Sequence, residues 1–168
     1  MRRDRTTSYA ALTIALLGPS FCCPPTTSAD PARAFWNGRY AFTRYLEQKS
    51  GTSLAAQQPE GNSTDVYTMS TTCSATGYVA TTVDGPPPKN PTLPPRAHYT
   101  WDGTQWVKTN DWQWNCLKPD GSVEWDPTRS SVTYKPQPDG TLLGAWHNEI
   151  QSGMCQGTVY VAILAVPA

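Results

Sequence analysis

The sequence predicts an all-β protein, an antiparallel meander that forms a curved sheet or a small barrel and carries one proline-rich loop. Three observations lead to this fold class. Short segments alternate aromatic or small residues with polar ones, which is the period of half-buried strands. Four Asp-Gly pairs recur at intervals of 18, 18 and 19 residues, and Asp-Gly is typical of tight turns between strands. Seven tryptophans and eight tyrosines supply large apolar surfaces for a core.

Nine segments with this alternation are predicted as short strands. In chain order they are 36–42, 65–72, 77–83, 97–101, 105–108, 111–116, 131–134, 142–147 and 158–166. A short helix is expected only around Leu46 or over residues 53–56. The Asp-Gly pairs begin at residues 84, 102, 120 and 139, where glycine can adopt the positive φ that a tight turn requires.

A proline-rich stretch at 84–95 separates the third predicted strand from the fourth. Six of its last ten residues are proline, so it can form neither a helix nor a paired strand. It could be a linker between two domains, but each flanking half is too short to bury a large core alone. We therefore predict a single β domain over 30–168 with a loop at 84–95.

The first 29 residues are predicted to be a secretory signal peptide. A basic start precedes a short apolar run at 9–18, and small residues follow. Cleavage is expected after Ala29, with Ala34 as the second choice, and no transmembrane segment is expected in the mature protein because the apolar run is too short to span a bilayer. A lipid anchor through Cys22 or Cys23 is the alternative to secretion.

The charge of the chain argues against several partners. Lysine and arginine together number 13, as do aspartate and glutamate. Removal of the predicted signal peptide takes away three arginines and one aspartate, which leaves the mature domain slightly acidic. Nucleic acids and anionic lipids are held by concentrated positive charge, so no nucleic acid is expected as a partner.

The segment 100–116, TWDGTQWVKTNDWQWNC, holds four tryptophans. A two-residue turn at Asp102-Gly103 would pair Trp101 with Thr104 and Tyr99 with Trp106, and would place these side chains on one face of a hairpin. On the next segment, tryptophans at 112 and 114 alternate with polar residues, as expected for a core-facing strand.

Two interpretations of these aromatic residues stay open. The alternation favours a buried core. The other interpretation is an exposed aromatic surface that binds a cell-envelope glycan, lipid or protein, for which Trp101, Trp106 and Tyr99 are the candidate binding residues. Trp112 and Trp114 are expected in the core in either case.

Three cysteines remain in the predicted mature domain, which indicates one disulfide and one further thiol. Cys116 ends an aromatic strand and Cys155 precedes the last strand, so we predict a Cys116–Cys155 disulfide. Its closed loop of about 40 residues would contribute about 4 kcal/mol in the chain-entropy model. Cys73 would then be free, either buried or paired with another molecule.

Several segments together resemble a group of exported actinobacterial, especially mycobacterial, proteins and the extracytoplasmic domains of some mycobacterial serine/threonine kinases. The segments are 35–40 (FWNGRY), 67–73 (YTMSTTC), 99–106 (YTWDGTQW), 136–142 (PQPDGTL) and 155–159 (CQGTV). The resemblance implies a location outside the cytoplasm and a non-catalytic role. Members often have glycine-cysteine where this chain has Gly77-Tyr78, which puts a family disulfide through Cys73 in doubt.

No catalytic residue, metal ligand or cofactor is predicted. His98 and His147 are the two histidines, and they fall in separate predicted strands without a metal-binding spacing. The segment 51–55 misses a nucleophile elbow by one residue. The sequence therefore favours a secreted, non-catalytic binding domain at the cell envelope or in the extracellular space. A cell-wall or ester hydrolase of unknown class is the alternative.

Overall fold

The computed structural model describes residues 35–168. Eight antiparallel strands follow one another in chain order, and the last pairs with the first to close a barrel. They are β1 (Gly38–Arg44), β2 (Ser63–Ser74), β3 (Gly77–Asp84), β4 (His98–Trp101), β5 (Trp106–Leu117), β6 (Val123–Pro136), β7 (Leu142–Ile150) and β8 (Gly157–Pro167). This confirms the predicted all-β meander and selects a closed barrel over an open sheet. Residues 1–29, Ala34, Cys22 and Cys23, on which the export predictions rest, lie outside the described residues.

Side chains on each strand alternate between the lumen and the outer surface. On β8, Val159, Val161, Ile163 and Ala165 are buried, while Tyr160 between the first two is about half exposed. The same alternation runs along β5 and β6. The last strand pairs with the first, so the inner faces of the eight strands form one core.

The structure corrects two predicted strand boundaries. Segments 105–108 and 111–116 are parts of one continuous strand, β5. The polar pair Thr109-Asn110 suggested a break, but Asn110 pairs with Ser130 on β6 and the ladder continues through it. The strand predicted to begin at residue 131 begins at Val123.

Pro127 lies in the early part of β6, within the region that pairs with β5. In the structure its carbonyl accepts a hydrogen bond from the backbone of Gln151. In an antiparallel strand the N–H and C=O of one residue point to the same side, here the side of β7. The β6–β7 register ends at Thr128 and Ile150, so the missing donor of Pro127 lies where the pairing with β7 ends, and proline is tolerated there.

The Asp-Gly pairs do mark chain reversals, but their geometry differs from the prediction. Trp101 pairs directly with Trp106, so four residues rather than two form the β4–β5 turn. The Asp102 carboxylate accepts hydrogen bonds from the backbone of Thr104 at 2.8 Å and of Gln105 at 2.9 Å. Such side-chain bonds stabilise a longer turn in which the glycine, Gly103, has a φ of 107°. The register predicted for this hairpin is therefore wrong.

The connection between β1 and β2 covers the barrel near β8. It contains two single-turn 3-10 helices, Leu46–Gln48 and Leu54–Ala56, at the places where a short helix was expected. The buried Ser53 caps the second turn by accepting a hydrogen bond from the backbone of Ala55. Ser50 pairs with Tyr160 by an isolated bridge. None of the helical segments in residues 35–168 is long and apolar enough to cross a bilayer.

Cys116 and Cys155 form a disulfide, with Cα atoms 5.7 Å apart. This is the pair that the sequence predicted. Both residues are fully buried, and the bond ties the end of β5 to the β7–β8 loop. Cys73 on β2 is half-buried and is also disulfide-bonded, so the expectation that it keeps a free thiol is wrong.

Candidate ligand site in the barrel lumen

The upper end of the barrel, where the β4–β5 and β6–β7 turns lie, is filled with aromatic rings. Trp36 precedes β1 and inserts into this end, where it is 1% exposed. Its ring centroid lies 5.2 Å from those of Tyr99 and Tyr134 and 5.5 Å from that of Phe42. Thr71 fixes the inserted segment by exchanging hydrogen bonds with the backbone of Trp36. The upper lumen is therefore closed by a packed aromatic plug.

Two of the three predicted binding residues belong to this aromatic core. Trp106 is fully buried and Tyr99 is 6% exposed, so the expectation that Trp106 is exposed is wrong. The physical reason is barrel closure, which turns the inner face of the β4–β5 hairpin toward Trp36 instead of toward solvent. Trp101 is half-buried and packs on Trp106 with ring centroids 5.3 Å apart.

Trp112 and Trp114 are buried, as predicted. They form a second aromatic cluster with Trp146, whose ring stacks on that of Trp112 at 5.9 Å. The indole Nε1 of Trp112 donates to Ser130 Oγ at 2.6 Å, and Ser130 in turn donates to Asn148. This second cluster lies below the aromatic plug, toward the opposite end of the lumen.

Between the two aromatic clusters the lumen is polar, and we call this region the lower lumen. It is defined by Arg44, Asp65, Tyr67, Lys108 and Asn110, which occupy inward positions on β1, β2 and β5. Arg44 forms an ion pair with Asp65, and its Nε donates to Ser63 Oγ at 3.0 Å. Burial raises the pKa of the Tyr67 hydroxyl, an effect that Asp65 reinforces and Arg44 opposes. One cation of the lower lumen is thus neutralised by a carboxylate.

Lys108 is the second cation of the lower lumen. Its Nζ lies 5.7 Å from the ring centroid of Tyr99. Burial, together with the smaller effect of the positive charge of Arg44, lowers the pKa of Lys108 to about 8. None of the ion pairs within residues 35–168 includes Lys108. A cation is therefore held inside the barrel without a carboxylate partner in the described part of the chain.

Asn110 lies one inward position below Lys108 on β5. Its Oδ1 and Nδ2 are both buried, and within the described residues neither atom has a hydrogen-bond partner. Each unsatisfied buried polar group costs about 1–3 kcal/mol. The neighbouring Ser130 and Asn148 are bonded to each other and leave Asn110 out of their network. The Nδ2 of Asn110 can therefore donate hydrogen bonds to a ligand, and its Oδ1 can accept them.

Sequence reasoning missed Lys108 and Asn110, although the sequence holds a signal for them. Trp106, Lys108, Asn110 and Trp112 alternate along one strand, so two polar residues occupy positions of the core-facing set. Polar residues at core positions are errors of design unless they have a function. This pattern was missed because the predicted strands ended at residue 108 and resumed at residue 111.

A surface cleft of about 250 Å³ lies between Tyr67 and the proline-rich loop. Its lining includes the side chain of Tyr67 together with Thr82, Gly85, Pro86, Pro95 and Arg96. Gly85 begins the proline-rich loop with a φ of 143°, and a Cβ at this position would lie 2.3 Å from Cδ1 of Tyr67. Glycine therefore allows the loop to pack directly on the Tyr67 ring, which belongs both to the cleft and to the lower lumen.

The two histidines lie on different strands, with β5 and β6 between them. On β4, His98 Nδ1 lies 3.0 Å from the hydroxyl of Thr81. On β7, His147 stacks on Tyr160 with ring centroids 4.5 Å apart. Each ring thus has its own local partner on the neighbouring strand.

Cys116, Asp126 and Cys155 bring potential metal-ligand atoms within 4.8 Å of one another. The two sulfur atoms are bonded to each other, and thiolates rather than disulfides bind metals. Asp126 Oδ2 accepts a hydrogen bond from the backbone of Cys155 at 3.0 Å. In this state the group fixes the β7–β8 loop to β6.

Comparison with known proteins places this barrel in a family. Residues 32–168 match the family model of the PknI serine/threonine-protein kinase sensor domain. The chain belongs to this sensor-domain family. Its structure is similar to the monomer form of the Mycobacterium tuberculosis PknI sensor domain, with a TM-score of 0.58 and 14% identity over 80% of this chain and 88% of that chain. The dimer form of the same sensor domain has a TM-score of 0.47 and 24% identity over 67% of this chain and 74% of that chain.

Membership of the PknI sensor-domain family confirms the resemblance drawn from the short turn-rich segments. The likeness to the monomer form shows a shared fold at low sequence identity. No curated protein matches the chain. A sensor domain is a non-catalytic domain, which fits a role in binding.

Proposed function

We propose that the protein is a non-catalytic, ligand-binding domain of the sensor type that works outside the cytoplasm and binds a small molecule in the lower lumen. Membership of the PknI sensor-domain family supports the sensing role. One observation carries the choice of site: Lys108 and Asn110 point into the barrel with no ion-pair or side-chain hydrogen-bond partner among the described residues.

Polar groups that lose water without gaining a protein partner lower the stability of a fold. The half-buried ammonium of Lys108 and the buried amide of Asn110 each lose hydration, and in a structural core both would be paired. A ligand that bonds to them would repay this cost when it binds. The cost of leaving these groups without protein partners is then a source of affinity, as expected where stability is given up for function.

Tyr67 lines the surface cleft and also occupies an inward position on β2, so this cleft is the entrance that we propose for the ligand. Proline restricts the backbone of the loop that borders the cleft, so the entrance is pre-organised. A rigid entrance lowers the entropy lost on binding. Trp101, half-buried at the upper end, is a secondary candidate contact for a larger cell-envelope partner.

The experiment is ligand capture from a small-molecule extract of the cell envelope, followed by native mass spectrometry. The wild-type protein is expected to retain a small molecule and to change its tryptophan fluorescence, because Trp106 and Trp112 flank the site on β5. Asn110→Phe fills the lower lumen and should abolish capture. Thr109→Phe is the matched control, since Thr109 is exposed on the opposite face of the same strand.

Asn110→Leu provides a smaller change if the phenylalanine variant fails to fold. Circular dichroism and thermal melts establish that each variant retains the barrel. If both Asn110 variants capture the small molecule as strongly as the wild-type protein does, the lower lumen is not the site. A wild-type protein that retains nothing from the extract would contradict ligand binding itself.

A further inference from the structure

We propose that the ligand of the lower lumen carries an oxyanion, a carboxylate or a phosphate, that forms an ion pair with Lys108 and accepts a hydrogen bond from Asn110. This inference rests on the proposed function and adds the chemical class of the ligand. It is carried by the distribution of charge inside the barrel and by the placement of donors along β5.

The charge of the lower lumen is unbalanced. Among the described side chains that face it, Arg44 and Lys108 are cations and Asp65 is the one carboxylate, which is already paired with Arg44. The hydroxyls of Tyr67, Tyr99 and Tyr134 are neutral near pH 7, because burial raises their pKa values. The facing positions of β7 and β8 contribute Gly144, Trp146, Val161 and Ile163, which do not ionise. One positive charge remains.

Asp126, the buried carboxylate of β6, is too distant to neutralise Lys108. Lys108 pairs with Val132 on β6, and Asp126 lies six residues along that strand. At about 3.3 Å per residue this separation is roughly 20 Å. Asp126 also accepts a hydrogen bond from the backbone of Cys155. An external anion is therefore the partner that Lys108 lacks.

The donors on β5 match an oxyanion in geometry. Lys108 and Asn110 are two residues apart on one face of the strand, so their Cα atoms are about 7 Å apart. The flexible lysine side chain and the Nδ2 of Asn110 can reach two oxygen atoms of one carboxylate or phosphate. Such charge-assisted hydrogen bonds are stronger than those between neutral groups. The Oδ1 of Asn110 stays available for a hydroxyl or amide of the ligand.

The walls of the lumen limit the rest of the ligand. Trp36, Tyr99 and Tyr134 close the upper side, and Trp146 lies on the lower side. These aromatic surfaces favour a compact apolar or ring-shaped body attached to the anionic group.

Benzoate and phenyl phosphate are suitable probes, and benzyl alcohol is a neutral probe of similar size. Each is titrated against the protein while tryptophan fluorescence and the side-chain NMR signal of Lys108 are recorded. We expect saturable binding of at least one anionic probe, at least tenfold tighter than that of benzyl alcohol. Lys108→Met should weaken anion binding at least tenfold, while Lys108→Arg should restore much of it. Lys135→Met, on the exposed side of β6, is the matched control.

Two further probes identify the source of the anion. Inorganic phosphate tests a free ion, and vesicles of phosphatidylglycerol in phosphatidylcholine test a lipid headgroup. Binding of either that is lost in Lys108→Met supports the inference and names the source. Equal affinity for benzoate and benzyl alcohol, unchanged anion binding in Lys108→Met, or no binding of any anionic probe would overturn it. If the protein still captures a small molecule from the envelope extract but binds none of the anionic probes, the oxyanion class is wrong and the proposed binding function stands. If it neither captures a small molecule nor binds an anionic probe, both proposals are wrong.

Discussion

At the scale of single residues, Lys108 shows how a core position can oppose stability. The positions before and after it on the inner face of β5 are Trp106, which is fully buried, and Asn110, whose polar atoms are buried. The ammonium of Lys108 loses hydration in these surroundings without gaining a carboxylate from the described part of the chain. A hydrophobic side chain of similar length would fill the same space at a lower cost, as replacements of buried charges by apolar residues often do.

Lys108→Met is therefore expected to stabilise the folded protein near neutral pH, by up to roughly 3 kcal/mol, since one pKa unit corresponds to about 1.4 kcal/mol. The pKa of Lys108 is lowered to about 8 in the folded state, against about 10.4 in an unfolded chain. Between these values the unfolded state binds more protons, so the free energy of unfolding of the wild-type protein rises with pH. Urea denaturation from pH 7 to pH 10.5 measures both effects.

The advantage of Lys108→Met over the wild type should shrink as the pH rises through this window, because the wild-type lysine becomes neutral. Lys135→Met controls for the other groups that titrate there. A difference between variant and wild type that does not change with pH would show that Lys108 is not held in a desolvating environment.

The tryptophans differ in burial, and their replacements should differ in cost. Trp106→Ala, Trp112→Ala and Trp114→Ala are each expected to destabilise the protein by about 3–5 kcal/mol, as large truncations in a core do. Trp125→Ala should cost little, because Trp125 is 45% exposed on the outer face of β6. Thermal melts compare the four variants. A mild effect of Trp106→Ala would contradict its place in the aromatic plug.

At the scale of elements, the β5–β6 hairpin depends on a tie to the rest of the barrel. The two strands pair over residues 106–117 and 123–134, well beyond the point where β7 ends at Ile150. The Cys116–Cys155 disulfide holds this extension to the β7–β8 loop. Asp126 contributes to the same attachment through the backbone of Cys155.

Removal of this disulfide in the double variant Cys116→Ala, Cys155→Ala should lower stability by about 4 kcal/mol. The sequence separation of the two cysteines is 39, and a loop of this size gives about that value in the chain-entropy model. Thermal unfolding with and without the bridge measures the loss. Non-reducing peptide mapping should join the peptides of Cys116 and Cys155, and a peptide of Cys73 in place of either would refute the pairing.

At the scale of the whole molecule, the proposed role requires that the domain work outside the cytoplasm. We predict that the mature N-terminus follows Ala29 and that the protein is recovered from the culture filtrate or the cell wall. Mass spectrometry of these fractions against the cytosol tests the expectation. An intact chain beginning at Met1 in the cytosol would contradict it, and labelling with palmitate would instead identify a lipid anchor at Cys22 or Cys23.

The sequence by itself determined the fold class, the approximate places of most strands and turns, and the pairing of Cys116 with Cys155. These features depend on local pattern and turn chemistry, which any short segment carries with it. It also indicated the family through short segments rich in turns. The break expected at Thr109-Asn110 was wrong because local polarity was weighed without knowledge of the neighbouring strand.

Only the tertiary structure decided which aromatic residues face solvent and where the polar lumen lies. The strand period fixes that Tyr99, Trp101 and Trp106 share a face, but not whether that face is covered. Closure of β8 onto β1 and insertion of Trp36 cover it, and both are contacts between residues far apart in the chain. The same closure brings Arg44 and Lys108 into one interior, where Lys108 forms no ion pair with a carboxylate of residues 35–168.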